Sequence, residues 1–339
     1  MLRTNPAYTI MTTDIAPRQI RTRALWYEGA RECALNDEII TLQPGDVLLR
    51  TLYSGISRGT ERLVFEGRVP ASEAERMRGP NMAGSFPFPV KYGYCAVGVI
   101  EGGPTHLIGR HAFALHPHQQ RFALPAAQIT ILPDSLPARR AVLAANMETA
   151  LNALWDAGAG PGDSIAVVGA GVIGLLVASL AAKLPGADVT IIDIDASRAS
   201  LAAALGCRFS TDGTGAEDAD IVVHTSASAA GLNKAISLCG FEGTILELSW
   251  HGTGETPVAL GGAFHARRLK LISSQVGHVA GNRRARWSHA RRMAKALELL
   301  GDERLDALIT DDIPFTDAPT RLPALFAPGA KGLTAVLTY

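Results

Sequence analysis

The sequence predicts an α/β fold in which a doubly wound parallel sheet is inserted into a β-rich domain. Residues 22–133 consist of short alternating or β-branched runs broken by glycine and proline, which is typical of strands joined by turns. After the glycine-rich loop 158–162, apolar runs alternate with segments of helical spacing. That alternation predicts a parallel sheet with helices on both faces. A β-like tail at 333–339 is expected to return to the first domain.

We therefore expect one domain built from residues 1–147 and 277–339, and a second from 148–276. The strands and helices expected in the second domain are strand 164–168, helix 172–184, strand 189–193, helix 196–205, strand 220–224, helix 229–239, strand 244–249 and strand 269–273. A further helix is expected at about 285–300. The arginine-rich run 283–292 is interpreted as a solvated helix face, with an anion site as the alternative.

Composition argues against several classes of protein. The chain has 339 residues, 47% hydrophobic and 19% charged, enough to bury the cores of two domains. Lys plus Arg and Asp plus Glu number 32 each, so no global field attracts nucleic acid or an anionic membrane. The apolar stretch 172–182 is too short to span a bilayer, and residues 1–21 lack the apolar core of a signal peptide. We expect a cytoplasmic protein that acts on a small-molecule substrate.

The four cysteines are far apart in the sequence. They form no Cys-x-x-Cys pair and no cluster with histidine at the spacing of metal ligands. We interpret them as free thiols in a reducing compartment. They are Cys33, Cys95, Cys207 and Cys239.

A dinucleotide-binding motif, G-x-G-x-x-G, lies at the junction of an apolar strand and a long apolar helix. In this context Gly169 permits a tight turn, Gly171 lets the backbone approach a pyrophosphate, and Gly174 lets helix and strand pack closely. The free N–H groups at the start of the helix then face the phosphates. The pattern predicts a Rossmann domain.

The next predicted strand ends on a carboxylate, Asp193, about 20 residues after the last glycine of the motif. A carboxylate at this place binds both ribose hydroxyls of the adenosine and repels a 2′-phosphate. We therefore predict NAD as the cofactor in preference to NADP, although Arg198 could partly offset that preference. A glycine-rich turn with a chance Asp cap is the alternative. Further cofactor contacts are predicted at Val172, Ile173, Ile194, Thr225, Ser226, Leu248, Ser249 and Ser274.

Taken with the order of the domains, these residues resemble the medium-chain dehydrogenase/reductase superfamily, in its zinc alcohol dehydrogenase-like group. The resemblance covers residues 23–339. It implies a GroES-like catalytic domain, with nicotinamide and substrate in the cleft between this domain and the Rossmann domain. It also implies that Arg58 reaches the cofactor pyrophosphate, for which a guanidinium is suited. An exposed structural arginine is the alternative.

The resemblance fails at the zinc ligands of that group. Ser57 stands where a ligand Cys is expected, Tyr94 replaces a His, and Ala145 or a close neighbour falls at the third position. Without thiolate or imidazole ligands a tetrahedral zinc site cannot assemble, so we predict no metal. The four-cysteine lobe of zinc members is replaced by the short segment 115–121. The turn at 54–61 resembles the zinc-free branch that includes bacteriochlorophyllide a hydroxyethyl dehydrogenase.

Without zinc, a side chain must polarise the reacting oxygen. Tyr94 is a candidate hydrogen-bond donor or general acid/base, unless its ring only packs the strand. His118, on the same loop as His116, is a candidate proton carrier, with a surface histidine as the alternative. Ser57 either orients a substrate hydroxyl or caps the turn. Glu61 is interpreted as a helix N-terminal charge rather than a catalytic base.

The first functional hypothesis is a zinc-independent, NAD-dependent alcohol dehydrogenase that acts on a secondary alcohol or its ketone. An enone or quinone reductase of the same superfamily is an alternative, but its glycine turn usually differs from 169–174 and favours NADPH. A non-catalytic NAD-binding protein is the third reading, and the retained polar groups at 57, 94 and 118 argue against it. A homodimer is expected through the edge of the parallel sheet, near 244–249 and 269–273.

Overall fold

The structure, a computed structural model, describes residues 18–339, so the expectation about residues 1–21 falls almost wholly outside the described part. The first half of the described chain is β-rich. Its strands are β1 (Arg18–Gly29), β2 (Glu32–Leu42), β3 (Asp46–Ile56), β4 (Ala83–Gly84), β5 (Val90–Lys91), β6 (Ala96–Gly102), β7 (His111–Ala114), β8 (Arg121–Pro125) and β9 (Ile129–Ile131). Its helices are α1 (Arg58–Phe65), α2 (Ala138–Ala141) and α3 (Ala144–Ala157).

The parallel sheet occupies the middle of the chain, as predicted. Its strands are β10 (Ser164–Val168), β11 (Asp188–Ile192), β12 (Arg208–Ser210), β13 (Ala219–His224), β14 (Cys239–Glu247) and β15 (Lys270–Ser273). Helices α4 (Val172–Ala181), α5 (Ala199–Ala204) and α6 (Ala229–Leu238) connect them. The spatial order is β12-β11-β10-β13-β14-β15, so the strand order reverses between β10 and β13. Ligands of doubly wound folds bind in the crevice at this reversal.

The end of the chain returns to the β-rich domain. Helix α7 (His289–Leu299) precedes strand β16 (Ile309–Pro314), helix α8 (Ala318–Leu325) and strand β17 (Thr334–Thr338). Strand β17 pairs antiparallel with β3, and β16 pairs parallel with β17. Both chain ends therefore build one sheet, in the order β16-β17-β3-β6-β7-β9, with β8 also on β3. A second sheet has the order β2-β1-β5-β4. The predicted fold class, a Rossmann sheet inserted into a GroES-like domain, is confirmed.

Strand β3 is the element that positions the turn 54–61. It pairs with β6, β8 and β17 at once, and most of its side chains are buried. It ends at Ile56, two residues before α1 begins. Since β3 and β6 are antiparallel, with Ser54 opposite Ala96, the end of β3 lies beside the start of β6. This register brings Ser57 and Tyr94 together, although they are far apart in the sequence.

Helix α7 contains an ion pair that the sequence analysis did not predict. Arg292, in the run interpreted as a solvated face, is buried, and its Nε lies 2.9 Å from Oε1 of Glu148 on α3. Met293 and Leu297 are buried, as the helical spacing predicts. The helix thus packs against α3 through both apolar and charged groups.

The helices within residues 18–339 are all too short or too polar to cross a bilayer.

Candidate cofactor and active site

In the glycine turn between β10 and α4, two of the three glycines have no room for a side chain and the third has open space beside it. Gly169 has φ +112°, and a Cβ there would lie 2.7 Å from Oγ1 of Thr225. A Cβ on Gly174 would overlap the carbonyl oxygen of Gly169. A Cβ on Gly171, in contrast, would meet nothing within 4 Å. The first and third glycines are therefore needed for packing, and the second leaves open space at the start of α4, next to Val172 and Ile173.

The carboxylate of Asp193 lies at the mouth of this turn. Its Oδ2 accepts a hydrogen bond from the Ala170 N–H at 2.6 Å, and its Oδ1 accepts one from the Asp195 N–H at 2.8 Å. The next side chain, Ile194, is 95% exposed. An open backbone cradle, a fixed carboxylate and an exposed apolar side chain fit the phosphates, ribose and adenine of a dinucleotide.

The other predicted cofactor residues lie at the carboxyl ends of neighbouring parallel strands. Thr225 donates to the Gly169 carbonyl at 2.9 Å, which ties the end of β13 to the glycine turn. Ser249 Oγ accepts from the Ala227 N–H at 3.0 Å, and Leu248 precedes it after β14. Ser274 follows β15 and donates to Asp156 at 2.6 Å. The fold thus brings these residues to one edge of the sheet. Ser226, also at the end of β13, is exposed.

Two arginines from different domains contact the loop that precedes β17. Arg58 donates to the carbonyls of Lys331 and Ala330, both at 2.7 Å, and Arg198 donates to the Gly332 carbonyl at 3.0 Å. Burial lowers the pKa of Arg58, and the neighbouring positive charge of Arg198 contributes to the lowering. Both guanidinium groups are thus tied to the same loop, at residues 330–332.

The zinc-ligand positions of the resembled group do not fit a zinc ion. Ser57 and Tyr94 present hydroxyl groups, and Ala145 is buried without any ligand atom. Burial raises the pKa of the Tyr94 phenol, and the hydroxyls of Ser57 and Thr60 offset this in part. The phenol therefore keeps its proton at neutral pH. The arrangement can donate hydrogen bonds to an oxygen but cannot supply the thiolate or imidazole that zinc requires.

Behind this position lies a buried network of polar side chains. Oε2 of Glu61 accepts from the Tyr27 hydroxyl at 2.8 Å and lies 2.9 Å from Nε2 of His118. Nδ1 of His118 lies 2.7 Å from Oγ of Ser54, which lies 2.8 Å from the hydroxyl of Tyr339. Glu61 and His118 are both fully buried. Both ring nitrogens of His118 are engaged, so it has no free nitrogen for a substrate.

The same carboxylate holds the turn that carries Ser57. Oε1 of Glu61 accepts from the Ser57 N–H at 2.7 Å, at the start of α1. The sequence analysis interpreted Glu61 only as a helix N-terminal charge, and the structure adds a buried anchor for the turn. Its place four residues after Ser57, close to the spacing of a capping box, is the signal that could have indicated this role. Gly93 lies against the His118 ring, where a Cβ would come within 2.9 Å of Nε2.

His116 does not join this network. Its ring stacks on Phe122 with centroids 3.9 Å apart, and burial lowers its pKa to about 3. The side chain is therefore neutral at physiological pH. The two histidines of the loop, which the sequence analysis treated together, have different environments.

The β-rich domain and the inserted parallel sheet together define the fold. A β-rich domain made from both chain ends, with an inserted parallel sheet whose crevice fits a dinucleotide, is the fold of medium-chain dehydrogenases/reductases. No family model matches the chain. It is 28% identical over 210 residues to an uncharacterized zinc-type alcohol dehydrogenase-like protein of Haemophilus influenzae, a match that covers 58% of this chain and 57% of that protein. It is 25% identical to the D-guloside 3-dehydrogenase of Escherichia coli K12, over 81% of this chain and 87% of that enzyme.

Solved structures show the same fold. The L-idonate 5-dehydrogenase of Escherichia coli K-12 superposes with a TM-score of 0.78 at 14% identity, over 95% of this chain and 99% of that one. A dehydrogenase of Sinorhizobium meliloti 1021 bound to NADP has a TM-score of 0.75 at 18% identity, over 94% and 100% of the two chains. An alcohol dehydrogenase of Escherichia coli CFT073 complexed with NADH superposes with a TM-score of 0.74 at 15% identity, over 94% of this chain and 99% of that one. The three solved structures are 14–18% identical to this chain and show that it shares their fold.

The glycine turn yields a paired prediction. Gly171→Ala should leave stability nearly unchanged, since its Cβ meets nothing within 4 Å, but should weaken NADH binding by about tenfold or more because it fills the cradle. Gly174→Ala should instead lower the free energy of unfolding by roughly 1–3 kcal/mol through overpacking. Urea unfolding and a fluorescence titration with NADH measure the two effects. Unchanged NADH affinity in Gly171→Ala would contradict the assigned cradle.

The buried carboxylate yields a second prediction. Glu61→Ala should lower the free energy of unfolding by about 3–5 kcal/mol, because it leaves buried donors on Tyr27, His118 and Ser57 without their acceptor. Glu73→Ala is the control, since its partner Arg76 is largely exposed, and it should cost less than about 1 kcal/mol. Chemical denaturation measures both. Equal, small effects of the two substitutions would show that the network contributes little to stability.

Proposed function

We propose that the protein is an NAD(H)-dependent oxidoreductase that transfers hydride between nicotinamide and a secondary alcohol or its ketone without a catalytic zinc. The observation that carries the proposal is the open cradle at Gly171 beside the carboxylate of Asp193. Both lie at the crevice where doubly wound folds bind nucleotides. The names of the related enzymes, a D-guloside and an L-idonate dehydrogenase, support a hydroxylated substrate.

The bound cofactor supplies the carbon that accepts or donates hydride. The protein chain orients the cofactor. Backbone N–H groups at the start of α4 would hold the pyrophosphate, and Arg58 and Arg198 would supply positive charge near it. Asp193 binds the two adenosine ribose hydroxyls, and its charge disfavours a 2′-phosphate. This assignment supports NAD in preference to NADP.

Tyr94 is the group proposed to act on the reacting oxygen. Because burial raises its pKa, the phenol stays protonated and can donate a hydrogen bond to a ketone oxygen as negative charge develops there. The phenol then gives its proton to that oxygen, and the phenolate regains a proton from solvent. The Ser57 hydroxyl lies beside it and can orient the same oxygen. In the oxidation direction the alcohol proton must leave, and a protonated phenol is a poor acceptor. The chemistry therefore favours ketone reduction at neutral pH.

His118 is proposed to support this site from inside the domain. It is bonded to Glu61, and Glu61 holds the Ser57 N–H, so His118 acts on the turn through the carboxylate. We assign it as a positioning residue.

We also propose a homodimer. Strand β15 is the edge strand of the parallel sheet, and Leu271 on it is 38% exposed. Phe241, on the neighbouring strand β14, is 69% exposed. A second copy related by a two-fold axis would cover both side chains and pair the edge.

Cofactor preference tests the role of Asp193. NADH should bind more tightly than NADPH, and Asp193→Ala should narrow the difference by weakening NADH about tenfold or more, since it removes charged hydrogen bonds and the repulsion of a 2′-phosphate. Asp188→Ala, at the exposed start of the same strand, is the control and should change neither affinity. Titrations with both cofactors measure this. Equal or tighter NADPH binding by the unmodified protein would contradict the assignment.

The pH dependence tests Tyr94. Since its pKa is raised, ketone reduction should be independent of pH between about 6 and 9, whereas alcohol oxidation should be slow over that range and increase only at higher pH, as the phenolate becomes populated. Tyr94→Phe should lower kcat by roughly 10- to 10,000-fold and leave the Kd of NADH unchanged. Tyr53→Phe, in β3, is the control. Steady-state rates over a panel of secondary alcohols, polyols and ketones measure these effects. Full turnover by Tyr94→Phe would remove Tyr94 from the chemistry.

A further inference from the structure

We propose that His224, Glu247 and His251 form a binding site for a divalent transition-metal ion in the Rossmann domain. Their ligand atoms all lie within 4.8 Å of one another. Oε2 of Glu247 lies 2.6 Å from Nδ1 of His224 and 3.6 Å from Nε2 of His251. The sequence analysis predicted no metal, because it considered only the positions of the resembled zinc group and the cysteines. This site lies elsewhere in the fold.

The fold itself brings the three residues together. His224 ends β13 and Glu247 ends β14, and the two are direct neighbours in the parallel register. His251 follows four residues after Glu247, and its ring lies nearly parallel to that of His224, with an angle of 23° between them. His224 is fully buried, and the side chains of Glu247 and His251 are 16% and 22% exposed. One carboxylate therefore faces two imidazoles at the wall of a crevice.

The second polar atom of each side chain, the one not directed at the proposed ion, has its own hydrogen-bond partner. Nε2 of His224 lies 2.8 Å from Oγ of Ser226, which leaves Nδ1 directed at the carboxylate. Nδ1 of His251 lies 3.0 Å from Oγ1 of Thr256, which leaves Nε2 on the same side. Oε1 of Glu247 accepts from the Ser249 N–H at 2.7 Å. Each ligand thus has an outer partner that fixes its orientation, the usual second layer around a bound metal.

The donor set suits zinc or a similar ion. Two imidazoles and one carboxylate are the protein ligands of many zinc sites that keep a position for water. At metal–ligand distances of about 2.0–2.1 Å, tetrahedral ligand atoms lie roughly 3.3 Å apart. The separations of 2.6 and 3.6 Å bracket this value, and the two imidazole nitrogens lie within 4.8 Å of each other, so binding needs shifts of up to about 1.5 Å. A neutral His224 would bind the ion through Nδ1 with its one proton on Nε2, where Oγ of Ser226 can accept a hydrogen bond from it.

The position of the site gives the ion a role at the domain interface. Gly252, next to His251, packs against the other domain, where a Cβ would lie 3.0 Å from the Leu63 side chain of α1 and 2.8 Å from the Arg68 carbonyl oxygen just after that helix. Trp250, on the other side of His251, packs against the core of that domain. Leu248 and Ser249, both predicted cofactor contacts, begin the same loop. An ion on His251 would therefore fix the loop after β14, through which the parallel sheet contacts the catalytic domain.

Binding of the metal alone tests the proposal. Protein freed of metal by a chelator should bind one Zn²⁺ per chain in equilibrium dialysis, and Co²⁺ should give the visible absorption of a tetrahedral site. Glu247→Gln and His251→Ala should each weaken Zn²⁺ binding by more than about 100-fold, since loss of even an outer-layer partner lowers metal affinity 10- to 100-fold. The thermal midpoint of the unmodified protein should rise with Zn²⁺, and that of His251→Ala should not.

A matched control separates this site from adventitious binding. His265→Ala removes an exposed histidine of the same domain and should bind Zn²⁺ as the unmodified protein does. Circular dichroism in chelator shows whether the variants are folded, and His251→Ala, which removes a partly exposed loop side chain, should keep the native spectrum. Zn²⁺ binding that is equally strong in Glu247→Gln and His251→Ala would overturn the proposal. So would an unmodified protein that binds no Zn²⁺, since the three residues would then form a hydrogen-bonded cluster only.

Discussion

The buried carboxylate of Glu61 is the constraint on which the rest of the candidate site depends. Burying a carboxyl group inside a β-rich domain is costly unless its oxygens have hydrogen-bond partners, and here Tyr27, His118 and the Ser57 N–H supply them. The donors come from β1, from the loop before β8 and from the start of α1. Satisfying one carboxylate therefore fixes three segments relative to one another. The turn that carries Ser57 and Arg58 is placed as a result, at the side of the domain that faces the parallel sheet.

Under the proposed reaction without zinc, this arrangement takes the place of a metal ion in holding the turn. In a zinc member of the group the ion itself would hold the end of β3 and the start of β6 together. In this chain the antiparallel register of β3 with β6 and the hydrogen bonds to Glu61 hold the same segments. Hydroxyl groups on Ser57 and Tyr94 then occupy the positions of metal ligands. The polar groups at the site are donors, which suits an oxygen that gains negative charge.

The sequence predicts the parallel sheet well and the β-rich domain only in outline. The strand 164–168 agrees with β10, and the helix expected at 172–184 is α4. These segments are buried on all sides, and their glycine turn has a defined geometry. The local sequence pattern is therefore sufficient to predict them. The pairing of β17 with β3 joins residues far apart in the chain, and no local pattern encodes that register. For the same reason the sequence analysis could not find the cluster of His224 and Glu247, which are neighbours only through the register of β13 with β14.

The side-chain environments of the site were the least predictable part. His118 has the residue type of a proton carrier, but its burial and its two partners follow from packing that a sequence pattern does not report. Arg292 likewise belongs to an arginine-rich run that is otherwise exposed, and its burial depends on Glu148 of a distant helix. The glycine turn and the place of Asp193 beside it, in contrast, follow from the local backbone, and their role in cofactor binding stays a prediction.

The central claim, hydride transfer to NAD without a zinc ion at Ser57 and Tyr94, is tested most directly by a single-turnover experiment on metal-depleted protein. At saturating NAD⁺, a weakened cofactor affinity would not limit the measured rate, so the rate reports the chemical step. The account predicts that NADH forms from a secondary alcohol at the same rate before and after removal of metal. A rate that vanishes on metal removal and returns in proportion to added zinc, in His251→Ala as in the unmodified protein, would contradict it.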